Sequence, residues 1–186
     1  MIFHFDGLVA IFAMIIGLAL LFFLKKKKRY SNSYILIFAI FYLYLCLLLN
    51  HTQFPIMYQP ELADYSLIVN SINYIPFSGL YFKHFLLNIV LTIPFGFLLP
   101  FIYKVEFSKK LFWAVMLPII IEGLQLFILL LTGIPLRAVD INDIIANFIG
   151  ILIGYFVFRS FIILFRKLTQ KEHDDDHPFI RFIRQY

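Results

Sequence analysis

Long apolar runs alternate with short polar segments along the whole chain. Each run is continuously apolar, which favours helices over the alternating strands of a membrane barrel. About 20 apolar residues in a helix are enough to cross the hydrocarbon layer of a bilayer. The pattern therefore predicts about five transmembrane helices, of which the first two are short unless flanking residues lengthen them. The five runs are Leu8–Leu24, Tyr34–Leu49, Phe85–Tyr103, Leu111–Leu131 and Ile144–Phe165.

The composition agrees with a membrane protein and excludes a soluble one. Of the 186 residues, 62% are hydrophobic, 19% are aromatic and 15% are charged. A soluble domain of this length could not bury so much apolar surface in one core. We therefore predict an all-α integral membrane protein, a single bundle of about five helices. Cys46 is the only cysteine, so we expect neither a disulfide nor a thiolate metal site.

The positions of lysine and arginine predict how the bundle is oriented. The first apolar run has no basic leader and is followed by KKKKR at Lys25–Arg29. This arrangement is typical of a retained anchor with its N-terminus outside, not of a cleaved signal peptide. In this orientation the C-terminus and all but two of the 16 lysines and arginines are cytoplasmic, and the two outside are Lys83 and Arg137. The pI of about 9.3 then reflects topology and contact with anionic lipid, and nothing points to nucleic acid.

Three segments follow from this arrangement. Residues 1–33 form an anchor helix with a basic cytoplasmic loop, residues 34–165 a four-helix core, and residues 166–186 a cytoplasmic tail. The core contains one long external loop at 50–83, whose prolines and tyrosines suit the membrane interface. The tail contains HDDDH at His173–His177. A solvated acidic segment explains this motif better than a metal site, because nothing nearby would fix the ligand geometry.

Polar residues recur on one face of the fifth predicted helix. At about 100° per residue, five positions fall within an arc of about 80°. A face with carboxylates, an amide and glycines should point toward protein, because the polar groups need partners and glycine permits close helix approach. These positions are Asp140, Asp143, Asn147, Gly150 and Gly154.

Two other helices offer polar groups at a similar depth. Glu122 and Gln125 lie one turn apart in the fourth helix, and Asn88 precedes a Pro94 bend in the third. A charged carboxylate at mid-membrane costs on the order of 3 kcal/mol, so Glu122 should be protonated, paired or solvated by a cavity. Arg137 is its natural counter-ion. The convergence of three helices predicts a polar cleft open to the outside.

Each of these residues also has a structural explanation. Glu122 and Gln125 could simply hold helices together, as Asn88 and Asn147 could. N-capping of the fifth helix explains at least one of the two aspartates, and Arg137 could merely neutralise them. His84 lies one turn before Asn88 and could join the cluster or be incidental.

The order and spacing of these motifs resemble the VanZ-like family of small bacterial membrane proteins. The upstream Asn73-Tyr74-Ile75-Pro76-Phe77 is similar to that family's Asn-Leu-x-Pro-Phe element, with tyrosine as a departure. The resemblance covers about residues 70–158, and the first two helices fit by hydropathy only. The motifs that carry it are Asn88 with Pro94-Phe95-Gly96, then Glu122-x-x-Gln125, then Arg137-x-x-Asp140-x-x-Asp143-x-x-x-Asn147-x-x-Gly150.

The resemblance implies a multi-pass protein of the bacterial plasma membrane with a role in the cell envelope. The family is named for a member linked to low-level teicoplanin resistance. This implies that a glycopeptide antibiotic acts less effectively on its peptidoglycan-precursor target when the protein is present. A housekeeping role without an antibiotic phenotype is the alternative, because family membership does not assign chemistry.

Three classes of function are compatible with the sequence. The first is a non-enzymatic protein that binds a lipid-linked cell-wall precursor or a glycopeptide-related ligand, in contact with membrane lipids and without a cofactor. The second is a membrane enzyme using Glu122 with Asp140 or Asp143, although no nucleophile–base pair, zinc spacing or phosphate loop accompanies them. The third is a proton-coupled flippase or transporter, for which five helices without a repeat are few unless the protein oligomerises. The ligand-binding candidates are Asn88, Glu122, Gln125, Arg137, Asp140, Asp143 and Asn147.

Overall fold

The computed structural model describes residues 1–104, 106–169 and 177–186. Five of its helices are long and apolar enough to cross a membrane, which confirms the predicted all-α membrane bundle. Much of the large apolar surface of these helices is exposed, as expected for residues that face lipid. They are α1 Gly7–Lys26, α2 Asn32–Gln53, α3 Phe82–Ile102, α4 Phe107–Thr132 and α5 Ile141–Thr169.

Most of the helices extend beyond the apolar runs that predicted them. Hydropathy marks only the part of a helix that suits lipid, whereas capping groups mark its ends. The Ser31 hydroxyl accepts a hydrogen bond from the Tyr34 amide at the start of α2, at 3.3 Å. Directly after the last residue of α4, Gly133 adopts a left-handed conformation with φ of 65°, which permits the chain to turn.

Short extended and 3₁₀ segments connect the helices at one end of the bundle. We call this end the loop end, and it contains residues 2–3, 54–81 and 133–140 together with the helix ends that adjoin them. Strand β1 (Ile2–Phe3) pairs antiparallel with β2 (Ile56–Met57). Strand β3 (Ile72–Asn73) pairs in parallel with β4 (Val139–Asp140), so that Asn73 lies opposite Asp140. Three 3₁₀ turns lie between β2 and β3, at Pro60–Leu62, Tyr65–Leu67 and Val69–Ser71.

The opposite end, which we call the basic end, contains a helix that the hydropathy pattern did not predict. Helix α6 spans Pro178–Arg184, and its Phe182 and Ile183 are buried in one cluster with Ile37, Phe101 and Phe158. The tail therefore folds back onto α2, α3 and α5. Of the HDDDH motif only His177 lies within the described residues, and its imidazole accepts a hydrogen bond from the Phe179 amide.

Helices α3 and α5 form the closest helix pair of the bundle. A Cβ atom added at Gly150 would lie 2.2 Å from the Ile89 carbonyl oxygen, and one at Gly154 would lie 2.0 Å from that of Ile93. In return, Gly96 of α3 faces the Ile151 carbonyl oxygen of α5 at 2.0 Å from its would-be Cβ. The expected role of the glycines in close helix approach is confirmed, and it places the polar face of α5 against α3.

Candidate functional site

The candidate site is built around the first turn of α5. Asp140 directly precedes this helix, and its Oδ1 accepts a hydrogen bond from the Asn142 amide at 2.8 Å. This is the capping role considered for one of the two aspartates, because it satisfies an amide that the helix leaves unpaired. The Asp140 amide in turn donates to Glu122 Oε2 at 3.1 Å. Helix α4 is thereby joined to the start of α5.

A second set of hydrogen bonds fixes the loop that precedes α3. The Asn73 amide group donates to Asp140 Oδ1 at 2.9 Å and to the Ser78 carbonyl at 3.0 Å. Asn142 is only 2% exposed; its Oδ1 accepts from the Phe77 amide at 2.7 Å and its Nδ2 donates to the Ser78 carbonyl at 3.0 Å. Phe77 has a φ of 63°, which is rare for a residue with a side chain. The two asparagines thus hold a strained turn next to the first turn of α5.

Thr92 supports the site from α3. Its side chain is fully buried, and its hydroxyl lies 3.0 Å from the Asn88 carbonyl and 2.9 Å from the Asn147 carbonyl. One hydroxyl thereby ties the backbones of α3 and α5 together at the depth of both asparagines.

Two neighbouring cavities open among these helices. The inner cavity has a volume of about 240 Å³ and is lined by residues from α2, α3, α4 and α5 and by Arg137. The mouth cavity has a volume of about 540 Å³ and lies toward the loops, with Pro55 and residues 79–81 in its wall. The two share His84, Gln125, Arg137 and Asp143 as lining residues. We treat them as two parts of one polar space.

The structure brings all seven candidate residues to these cavities. Six line the inner cavity, and the seventh, Asp140, lines the mouth cavity. The six are Asn88, Glu122, Gln125, Arg137, Asp143 and Asn147.

Arg137 contacts a different partner from the one its charge suggested. Its Nη2 donates to the Phe54 carbonyl at 2.7 Å, whereas Glu122 accepts its hydrogen bond from the Asp140 amide. Partial enclosure lowers the pKa of Arg137, and the charges of Asp143 and Glu122 oppose this shift. An arginine stays protonated under such conditions. Arg137 is therefore a charged group at the rim of both cavities.

Two side chains that line the inner cavity have a buried oxygen without a hydrogen-bond partner. Asn147 is 2% exposed and Glu122 is 3% exposed. The Asn147 Oδ1 has no hydrogen-bond partner among the described residues, and the same is true of Gln125 Oε1. Unpaired buried polar atoms are uncommon and costly. The chemistry of the cavity therefore suits a molecule that supplies N–H or O–H groups.

Several residues of the site were missed or left open by reasoning from the sequence. Asn142 was missed because it lies about 200° from Asp140 around the helix and so falls outside the polar arc. Its side chain faces the loop instead. Its companion Asn73 had a signal in the Asn-x-x-Pro-Phe element. His84, which was left open, lines both cavities and contacts the Tyr81 ring with centroids 4.7 Å apart. Thr52 accepts through its carbonyl from Gln125 Nε2 at 3.1 Å.

The residue types of the site determine what chemistry it can support. Among the residues that the structure describes, no three His, Cys, Asp or Glu side chains are placed to hold a metal ion. Carboxylates, amides and one guanidinium can orient a polar group by charge and hydrogen bonds.

Comparison with known proteins gives one match. A family model described as VanZ/LLP1 matches residues 41–165 of the chain. No curated protein and no solved structure matches the chain. The match confirms the resemblance drawn from the motifs and extends it into α2, where the sequence offered only hydropathy.

Proposed function

We propose, because the chain belongs to the VanZ/LLP1 family, that it is a cell-envelope protein of the bacterial plasma membrane that binds a polar head group in its two cavities. The ligand is a lipid-linked molecule or a peptidoglycan precursor at the outer leaflet. Binding there changes the access of a glycopeptide antibiotic to its target and lowers the action of teicoplanin-type compounds. The chain itself is a multi-pass membrane protein.

The observation that carries the proposal is the convergence of seven polar side chains on one polar space. Two of them, Glu122 and Asn147, are nearly inaccessible to solvent, and burying such groups inside a membrane protein is costly. Two short hydrogen bonds, from the Asn142 amide to Asp140 and from the Asp140 amide to Glu122, hold the shape of the site. A preformed concave site with a few fixed polar groups is typical of ligand binding.

The outward orientation of the site is part of the proposal. Lys83 and Arg137 lie at the loop end, whereas the basic end has Lys25–Arg29, Arg159, Arg166, Lys167, Arg181 and Arg184. Positive residues are enriched on the cytoplasmic side. The cavities then open toward the outer leaflet, where envelope precursors meet the antibiotic.

Lipid mass spectrometry on gently purified protein tests the proposal. We expect an isoprenoid-linked molecule to co-purify with the parent protein and to be depleted from an Arg137→Ala variant of equal abundance and thermal stability. The matched control is Lys83→Ala, which removes an exposed cation of the loop end that lines neither cavity. Recovery of bulk phospholipid alone, in equal amount from all three proteins, would contradict the proposal.

A second function is favoured by one observation, the position of Glu122. This buried carboxylate lines the inner cavity together with Asp143, and the two charges interact. Paired acids beside a cavity could pass a proton to or from a bound substrate, as an enzyme or a proton-coupled flippase requires. Glu122→Gln keeps the shape and a hydrogen-bonding group but cannot carry a proton. If Glu122 carries a proton, the Gln variant should be as abundant as the parent but should lose the effect on glycopeptide susceptibility. A variant that keeps this effect in full would exclude the enzyme and the proton-coupled flippase.

A further inference from the structure

The charges and hydrogen-bonding groups around the inner cavity limit which head group it can accept. Three carboxylates, those of Glu122, Asp140 and Asp143, line the two cavities. Among the described lining residues, Arg137 supplies the one guanidinium. Its Nη2 is engaged by the Phe54 carbonyl. A ligand that adds only negative charge would meet an excess of carboxylates.

Three side chains of the inner cavity offer acceptor oxygens. Glu122 Oε2 accepts a hydrogen bond from the Asp140 amide. The unpaired Asn147 Oδ1 belongs to a side chain on the wall of the same cavity, and so does the unpaired Gln125 Oε1. A ligand group that fits here donates several hydrogen bonds and carries positive charge.

Arg137 lies where the two cavities meet and lines both of them. It lines the mouth cavity beside Leu136 and Ala138 of the loop, and its fork-shaped guanidinium pairs well with a carboxylate or a phosphate. Glu122 and Asn147 line the inner cavity alone, whereas Arg137 is shared with the mouth cavity.

We propose that the site recognises a zwitterionic head group, in which a primary ammonium enters the inner cavity toward Glu122, Asp143 and Asn147 while an adjacent anionic group meets Arg137. This inference rests on the proposed head-group function and names its ligand chemistry. An ammonium donates three hydrogen bonds, and its positive charge gives a buried carboxylate a partner of opposite charge. Aminoacyl side chains of a precursor peptide and the ethanolamine of a phospholipid both carry such a group.

The volume of the cavity agrees with this chemistry. About 240 Å³ accommodates an aminoalkyl group and is smaller than ordinary ligand pockets of about 300–1,000 Å³. The larger mouth cavity of about 540 Å³ has room for the anionic part.

A matched pair of peptides tests the ammonium. The protein is placed in nanodiscs of phosphatidylglycerol, which has no amine, and titrated with a short N-acetylated peptide that has one lysine and a free C-terminal carboxylate. The control peptide has the same sequence with the lysine Nε acetylated. We expect the free amine to bind roughly tenfold more tightly, as a charge-assisted hydrogen bond to a buried carboxylate would give. A second arm adds phosphatidylethanolamine or phosphatidylcholine to the nanodiscs and measures which lipid competes, which distinguishes a lipid source of the amine from a peptide source.

Substitutions at Glu122 and Asp143 test whether these residues cause the preference for the free amine. Glu122→Gln and Asp143→Asn should each reduce the preference for the amine to about twofold or less while the thermal unfolding of the helices stays close to that of the parent. Two variants are used so that poor folding of one still leaves a test. Glu61→Gln is the control, because Glu61 is an exposed carboxylate of the loop end that lines neither cavity.

The possible outcomes separate this inference from the function on which it rests. Amine preference in the parent and in Glu61→Gln, but not in the two cavity variants, supports the inference. Equal binding of the amine and acetylated peptides, with no preference for phosphatidylethanolamine over phosphatidylcholine, overturns it and leaves head-group binding intact. Absence of binding by every peptide and lipid overturns the proposed function as well.

Discussion

At the scale of single residues, Arg137 has two candidate roles, in loop structure and in head-group binding, that a substitution can separate. Its hydrogen bond to the Phe54 carbonyl at 2.7 Å ties the α4–α5 loop to the end of α2. The same side chain lines both cavities. Arg137 therefore contributes either to loop structure alone or to head-group binding as well.

Replacing Arg137 by lysine separates these two roles. Lysine keeps a positive charge and one donor for Phe54, so Arg137→Lys should fold and unfold at nearly the parent temperature. Lysine cannot present two parallel donors to a carboxylate or phosphate, so head-group binding and any effect on glycopeptide susceptibility should fall. Both properties are measured beside Lys83→Arg, which makes the reverse exchange at a position outside the cavities. A fully active Arg137→Lys protein would leave Arg137 with a structural role alone.

Asn142 is the residue on which the turn at Phe77 depends. Asn142→Ala removes the acceptor of the Phe77 amide and one donor to the Ser78 carbonyl. Loss of part-buried hydrogen bonds of this kind costs about 1 kcal/mol each, so the variant should unfold at a lower temperature in detergent. Asn70→Ala, at an exposed asparagine of the same loop, should change the unfolding temperature little. Equal stability of the two variants would show that the turn does not need Asn142.

At the scale of elements, the α3–α5 pair determines whether the site forms. The two helices approach so closely that backbone atoms of one occupy the space of side chains on the other. Thr92 bonds to the backbones of both helices at this contact. Asn88 and Asp143, which interact across it, are held at the cavity by the same approach.

A single methyl group at this contact should force the helices apart. In Gly154→Ala the new Cβ would lie 2.0 Å from the Ile93 carbonyl oxygen, and the nearest atoms are backbone atoms that cannot rotate away. We expect a loss of about 2 kcal/mol or more in stability, together with reduced head-group binding, because the cavity wall moves. Gly123→Ala provides the control in another spanning helix, since no atom beyond its own stretch of helix lies within 4 Å of its would-be Cβ in the described structure. Retention of parent stability in Gly154→Ala would contradict the close contact.

At the scale of the whole molecule, the two ends of the bundle differ in structure and in charge. The loop end contains both strand pairs and both cavities. The basic end contains Lys25–Arg29 and the α6 cluster. The proposed function requires the loop end to face outward.

Cysteine labelling in intact cells measures this orientation. In a Cys46→Ser background, a cysteine replacing Asn70 should react with a membrane-impermeant reagent, whereas one replacing Lys27 should react only after the cells are opened. The reason is the cytoplasmic preference of the basic run. Labelling of position 27 from outside would place the cavities on the cytoplasmic side and remove the basis for a role at the outer leaflet.

The sequence by itself determined the class of protein and indicated which polar residues would lie near one another. Runs of apolar residues longer than a soluble core can bury have one stable environment, the bilayer, so five helices follow from hydropathy. Polar residues inside such helices are costly unless they face protein. For that reason Asn88, Glu122 and Asn147 could be assigned to one site from three separate segments.

Only the tertiary structure decided which partner each polar group has. Charge alone suggested a contact between Arg137 and Glu122, but the loop geometry gives Glu122 the Asp140 amide and gives Arg137 the Phe54 carbonyl. The docking of α6 was likewise absent from the hydropathy pattern, because its apolar face is only two turns long and is defined by the helices it contacts. Hydrogen bonds act over about 3 Å, so their pairing depends on backbone positions that residues distant in sequence set together, and a pattern of residue types does not contain those positions.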